Sequence, residues 1–118
     1  MIPHGVEIFV GLEPIDLRWG FDRLSGLVAE RVGREARSGA LFVFFGKRRD
    51  ALKILFFDGS GMCQFYKRLD AGTFQLPQAS EGARHVEIDD AILDALLDGV
   101  QVQVEPQRPA GPRRPRMH

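Results

Sequence analysis

Cysteine is nearly absent from this 118-residue sequence, which holds one cysteine, one tryptophan, one tyrosine and three scattered histidines. The lone thiol, Cys63, cannot form an internal disulfide, which is typical of a protein in a reducing compartment. The histidines lack the spacing of zinc ligands, so we expect no metal site and no cofactor. We expect a cytoplasmic location without membrane contact, because neither a secretory signal nor an apolar run of roughly 20 residues is evident.

The composition is that of a folded domain, with 44% hydrophobic and 27% charged residues. These proportions exclude a fully disordered chain and a coiled-coil rod, and the length suffices for one domain with its own core. From residue 106 onward, proline alternates with arginine and glycine, a composition that cannot build a core. We predict one domain over residues 1–105 and a disordered proline- and arginine-rich tail over 106–118.

Charge is unevenly distributed along the chain, although sixteen basic and sixteen acidic residues cancel. Residues 40–70 carry six basic and three acidic side chains, whereas residues 80–105 carry one basic and seven acidic ones. Arginine outnumbers lysine thirteen to three, which favours planar, bidentate recognition of phosphate or carboxylate. The pattern predicts a basic face and an acidic face on one small domain.

Apolar residues at helical spacing predict two amphipathic helices. The first spans about residues 17–32, with Asp16 as its N-cap and Gly33 after its last turn. The second spans about residues 89–98, and its acidic start suits the positive end of the helix dipole. A short β-branched run predicts a strand over residues 7–10.

Three apolar runs separated by glycine and aspartate turns predict consecutive strands over 41–45, 52–57 and 63–69. The first two runs are apolar on both faces, which indicates strands inside a sheet that is covered twice. We expect residues 73–76 to add a short strand and residues 78–86 to form a loop. The predicted fold is α+β: an antiparallel β-meander of about four to five strands, packed by one helix from the N-terminal half, with a short C-terminal helix.

Basic residues cluster on the first predicted hairpin tip and on the strands that follow it. With Tyr66 available for stacking, such a patch would make salt-sensitive contacts with phosphates. Arg18 falls in the first turn of the predicted helix, where a cation opposes the helix dipole, so it needs either a carboxylate such as Asp22 or an outside phosphate. The candidate nucleic-acid or partner-binding residues are Arg18, Lys47, Arg48, Arg49, Lys53, Lys67 and Arg68.

Catalytic residues are not predicted. A metal-dependent nuclease needs converging carboxylates, for which Asp16, Asp50 and Asp58 are available. However, Asp16 is explained as a helix cap and Asp58 opens an Asp-Gly turn. Cys63 lies on an apolar strand face without a suitably placed histidine, which favours a buried thiol over a nucleophile.

Four stretches, taken in order, resemble the small accessory protein of the insertion-sequence sixty-six family, a TnpB-type protein encoded by the element's second reading frame. The likeness runs from about residue 5 to residue 100 and does not extend to the much larger RNA-guided nuclease that shares the TnpB name. Trp19 stands where the family usually has a basic residue. The four stretches are DLRWGFDRL at 16–24, SGALFVF at 38–44, LKILFFDGSG at 52–61 and FYKRL at 65–69.

This resemblance implies a bacterial mobile element and a role beside a separate transposase that carries the strand-transfer chemistry. We therefore expect a non-catalytic protein that contacts DNA, the cognate transposase or other element-encoded proteins. One alternative is a protein-only adaptor or homo-oligomer, in which basic and acidic faces pair between chains. The other is a metal-dependent nuclease whose cutting would need Asp58.

Overall fold

The computed structural model describes residues 2–99, in which five strands and two α-helices form an α+β fold. The predicted tail over 106–118 lies outside the described residues. A π-helical turn, Val28–Val32, extends the first helix, and a 3-10 turn, Ala36–Ser38, precedes the second strand. The elements are β1 (Ile8–Gly11), α1 (Phe21–Leu27), β2 (Leu41–Phe45), β3 (Ala51–Phe57), β4 (Met62–Arg68), β5 (His85–Ile88) and α2 (Asp90–Leu97).

The five strands form one mixed sheet in the order β4-β3-β2-β1-β5. The predicted meander is present over β2, β3 and β4, which pair antiparallel. The prediction of a wholly antiparallel sheet is wrong, because β1 pairs parallel with β2 and antiparallel with β5. The physical reason is the helical connection: α1 crosses one face of the sheet and returns the chain to run beside β1 in the same direction.

The segment between β4 and α2 differs from its prediction in two ways. Residues 73–76 form no strand; instead Phe74 is buried, and its amide donates to the carbonyl of Arg49 at 2.7 Å. The predicted loop over 78–86 ends too late, because β5 already begins at His85. β5 pairs with β1, and a partner so distant along the chain leaves no local signal in the sequence.

Each face of the sheet is covered by its own helix. Across one face, Val10, Val43 and Ile54 occupy paired positions beneath α2, which contributes Leu93 and Leu96. The strand alternation places the intervening residues of β1, β2 and β3 beneath α1 on the other face. Every residue of β2 is buried, as predicted for a strand covered on both sides.

Helix α1 begins at Phe21, four residues later than predicted, and Gly20 occupies its N-cap position. The prediction of Asp16 as N-cap is therefore wrong, because the preceding loop docks against the end of β2 instead of continuing the helix. The end prediction is confirmed: Gly33 has a left-handed φ of 73°. Helix α2 matches its prediction closely, and the Asp89 carboxylate caps it by accepting from the Ile92 amide at 2.9 Å.

Within residues 2–99, no helix combines the length and apolar character that a bilayer crossing requires.

Candidate nucleic-acid interface

An open groove of about 620 Å³ lies where the loop before α1 meets the β2–β3 turn and one face of β4. We call it the basic groove. Its apolar lining comes from residues such as Ile15, Leu17 and Ala51, and aromatic lining comes from Trp19 and Tyr66. Its basic lining consists of four of the seven predicted binding residues: Arg18, Lys47, Arg48 and Arg68.

The loop before α1 is held on the end of β2 by two specific contacts. The Ile15 amide donates to the carbonyl of Phe45 at 2.9 Å, which bridges the loop to the end of β2. Leu17 packs directly on Gly46, where an added Cβ would lie only 2.7 Å from the Leu17 Cδ1 atom. Because any larger residue at position 46 would displace Leu17, the wall of the basic groove depends on this glycine.

Lys53 supports the same wall from beneath. Its amine donates to the carbonyl of Trp19 at 3.1 Å, a contact that joins β3 to the loop. The Arg23 guanidinium lies over the Trp19 ring, 4.2 Å from the ring centroid. These contacts preorganise the groove wall, and they make Lys53 a structural support as well as a predicted binding residue.

Arg18 precedes α1, so the predicted conflict with the helix dipole does not arise. Its partner is Asp16, not Asp22: Arg18 Nε and Nη2 donate to the two carboxylate oxygens at 3.0 and 2.7 Å. This side-chain hydrogen bonding is the main reason that the pKa of Asp16 falls to about 2. The Arg18 side chain is 90% exposed and still has N–H donors free for an outside ligand.

The other three groove cations are less constrained. Arg68 Nε lies 3.9 Å from an Asp50 carboxylate oxygen, too far for a hydrogen bond. Lys47 and Arg48 are exposed at the β2–β3 turn, and neither forms a salt bridge with any residue in the described range 2–99. All three are therefore available to an anionic ligand.

Tyr66 is the aromatic residue most open to solvent in the described part of the chain, with 52% of its surface exposed. It lies on β4, a sheet edge in residues 2–99, opposite Lys53 of β3 and two residues before Arg68. The strand alternation of β4 places Gln64 and Arg68 on the same face as Tyr66. An exposed ring beside a guanidinium is a surface on which a planar ligand can stack.

The remaining predicted binding residues lie outside the lining of the basic groove. Arg49 occupies the same turn but has a φ of 60°, and its backbone amide donates to Gly46. Lys67 lies on the α2 face, where its amine donates to the Leu97 carbonyl at 2.7 Å and satisfies the C-terminal end of α2.

Two acidic residues of the groove, Asp16 and Asp50, were not predicted as part of the site. Local sequence offered one signal, since each carboxylate stands within two residues of an arginine. Their roles as neighbours of Arg18 and Arg68 depend on how the loop and the turn are docked. Including them, the lining carries four basic and two acidic side chains, and its net charge is positive.

The carboxylate proposed for nuclease chemistry, Asp58, serves a turn. One of its oxygens accepts from the Ser60 amide at 2.9 Å and the Gly61 amide at 3.0 Å, and these bonds lower the pKa of Asp58 to about 2. Cys63 is half-buried, and burial raises the pKa of its thiol. Among residues 2–99, no three metal-ligating side chains of the His, Cys, Asp or Glu type come together.

The acidic residues near the C-terminal helix lie on the other side of the sheet. Helix α2 packs on the face opposite the basic groove, and Asp89, Asp94 and Asp98 along it are exposed. Glu87 pairs with Phe9 on β1 and lies on the face of the basic groove. The acidic side chains along α2 and the cations of the basic groove thus lie on opposite faces of the sheet, whereas Glu87 and Lys67 depart from this division.

Comparisons with known proteins identify one family and two uncharacterized relatives. The family model described as IS66 Orf2 like protein matches residues 6–107. Two curated relatives, both from Sinorhizobium fredii (strain NBRC 101917 / NGR234), are uncharacterized proteins. The first, y4hO, is 39% identical over 102 residues, covering 85% of this chain and 87% of the relative. The second, y4jC, is 36% identical over 104 residues, covering 87% and 89%. No solved structure matches the chain.

Proposed function

The chain belongs to the IS66 Orf2-like family of insertion-sequence proteins, and from that premise we propose that it is a non-catalytic accessory protein that contacts DNA through the basic groove. The family associates the chain with an accessory role in transposition. The cognate transposase is its expected protein partner, and that enzyme would carry the strand-transfer chemistry.

The observation that carries this proposal is the convergence of cations from three separate segments on one groove. Arg18 comes from the loop before α1, Lys47 and Arg48 from the β2–β3 turn, and Arg68 from β4. Lysine and arginine side chains supply the phosphate contacts that dominate affinity for DNA. A positively charged groove with an exposed tyrosine therefore fits a nucleic acid better than it fits a neutral small molecule.

Salt-dependent binding of labelled DNA tests the proposal. Affinity of the full-length chain is measured by fluorescence anisotropy at about 50 and about 200 mM salt, for the native protein and for Lys47→Ala/Arg48→Ala. We expect binding to weaken in the double variant, and the slope of log affinity against log salt to flatten by roughly 1.8 for a duplex or roughly 1.4 for a single strand, because two phosphate contacts are lost.

The matched control is Arg37→Ala, which removes an exposed arginine of the 3-10 turn outside the groove. The arginines of residues 106–118 are common to all three proteins, so a difference between the variants isolates the groove. A DNA affinity that does not change with salt concentration would refute the proposed contact between the basic groove and DNA. A double variant that binds DNA as tightly as Arg37→Ala would also refute it.

A second candidate function is a protein-only adaptor or homo-oligomer. The exposed acidic side chains around α2 and the basic groove lie on opposite faces, so they are complementary between two copies in a head-to-tail contact. Sedimentation over a range of protein concentrations and salt, together with a pull-down using the cognate transposase, distinguishes this candidate from the first. Salt-sensitive self-association without DNA binding would favour the adaptor.

A further inference from the structure

We propose that the basic groove binds single-stranded DNA, with an unpaired base stacked on Tyr66 and its phosphates at the surrounding cations. This inference rests on the proposed function and deepens it, because phosphate contacts alone do not distinguish a single strand from a duplex.

The size of the groove favours a single strand. Its volume of about 620 Å³ is that of a small-ligand site, for which about 300–1,000 Å³ is typical. One or two nucleotides can enter such a space. A duplex, whose major groove alone is about 12 Å wide, would lie across the opening with its base faces still stacked on each other.

Tyr66 supplies the stacking surface. Tyr66 lies on an edge strand of the described sheet, is 52% exposed, and lines the groove together with Arg68. Every base has a flat π face, so an exposed aromatic ring beside cations binds single strands with little sequence preference. In a duplex these faces are covered by neighbouring bases and unavailable to Tyr66.

Asp50 indicates which part of the nucleotide lies inside. Its carboxylate lines the groove and lies 3.9 Å from Arg68, without a hydrogen bond between them. A carboxylate repels phosphate but accepts a hydrogen bond from a base amino group. This arrangement favours the base inside the groove, with the phosphates towards Lys47 and Arg48 on the exposed turn.

An acidic peptide from a partner protein is the competing occupant. It would share the contacts with Arg18, Lys47 and Arg48, but it would neither need the Tyr66 ring nor tolerate Asp50. The charge and the aromatic surface together therefore favour nucleic acid, and the peptide becomes one outcome of the test.

Trp19 is the only tryptophan of the chain and lines the groove, so its fluorescence reports occupancy. The full-length protein is titrated with an unlabelled oligonucleotide, with the same oligonucleotide as a duplex, and with an acidic peptide. We expect the single strand to bind more tightly than the duplex and to change the Trp19 emission. Tyr66→Ala should weaken single-strand binding at least about fivefold, as loss of one base-stacking contact does.

Two controls accompany this variant. Tyr66→Phe keeps the ring and should bind as the native protein does, while Phe21→Ala removes the other exposed aromatic residue, which lies outside the groove, and should have no effect. Equal binding of both DNA forms, or unchanged single-strand binding by Tyr66→Ala, would overturn the stacking inference and leave the DNA contact standing. Binding of the acidic peptide without binding of either DNA form would overturn both proposals.

Discussion

The two faces of the sheet use adjacent basic residues differently. On β4, Lys67 points to the α2 face and donates to the Leu97 carbonyl at 2.7 Å, whereas Arg68 points to the basic groove and has only a longer contact there, 3.9 Å from Asp50. On the first face, α2 covers the strands and its C-terminal carbonyl accepts from Lys67. On the second face, the basic groove lies open to solvent beside α1. The lesson is that a run of basic residues in a strand is divided between structure and binding by the alternation of its side chains.

The largest expected effect is a loss of stability when the core on the α2 face is truncated. Phe45 is buried and packs against Phe74, with 5.9 Å between ring centroids. Phe45→Ala should reduce the free energy of unfolding by about 3–5 kcal/mol, because it removes a large apolar side chain and leaves a cavity. Urea denaturation followed by circular dichroism measures this change, and a loss well below 1 kcal/mol would contradict the packing described for this face.

Gly46→Ala is expected to have a smaller effect that is specific to the groove wall. The new methyl group would meet Leu17 at 2.7 Å, so we expect a destabilisation of about 1–3 kcal/mol from overpacking. Gly26→Ala is the matched control, because Gly26 lies in α1 and, apart from its chain neighbours and the backbone of its own helix, nothing lies within 4 Å of the added Cβ. That change should stabilise the protein by about 0.5–1 kcal/mol. Urea denaturation measures both changes. If the free energy of unfolding changes in the same direction for both variants, the docking of Leu17 on Gly46 is contradicted.

Lys67→Met and Arg68→Met together test whether the two faces of β4 separate a structural role from a binding role. Lys67→Met leaves the Leu97 carbonyl without its charged donor and should cost about 1–3 kcal/mol of stability. Arg68→Met should change stability by less than about 0.5 kcal/mol, as exposed surface substitutions do, and weaken DNA binding instead. Thermal melts and anisotropy on the same two variants check both expectations, and a reversed pattern would contradict the assignment of the faces.

The smallest expected effect is a change in the pKa of Asp16, a carboxyl group that lines the basic groove. Asp16 has its pKa lowered from 3.8 to about 2 in the folded state, chiefly by hydrogen bonds from Arg18. A carboxyl whose folded pKa is depressed stabilises the fold above its unfolded pKa and loses that contribution as pH falls from about 4 to about 2. Arg18→Gln should therefore raise the pKa of Asp16 towards 3.8 and flatten this part of the stability profile.

Carboxyl NMR titration measures that pKa, with Asp58 as the internal control. Asp58 also titrates at about 2, but backbone amides and Ser60 cause its shift, so Arg18→Gln should leave it unchanged. A pKa of Asp16 that stays near 2 in the variant would show that Arg18 is not its main partner.

Much of the local structure was predictable because its signals are local. The burial of β2 and the position of α2 follow from residue spacing and were confirmed. The place of β1 beside β2, and the pairing of β5 with β1, were not predictable, since they join segments far apart along the chain. The start of α1 was misplaced because the loop that holds Asp16, a good N-cap by type, docks on the end of β2 instead of starting the helix.

The sequence by itself determined the α+β class, the family resemblance and the separation of charge into basic and acidic segments, because composition, periodicity and motif order are properties of the chain alone. Only the tertiary structure decided which cations share a groove. Arg18 and Arg68 stand fifty residues apart, and they line the same groove because Leu17 packs on Gly46 and Lys53 holds the Trp19 carbonyl. Such long-range packing depends on shape complementarity between distant segments, and residue spacing does not encode it.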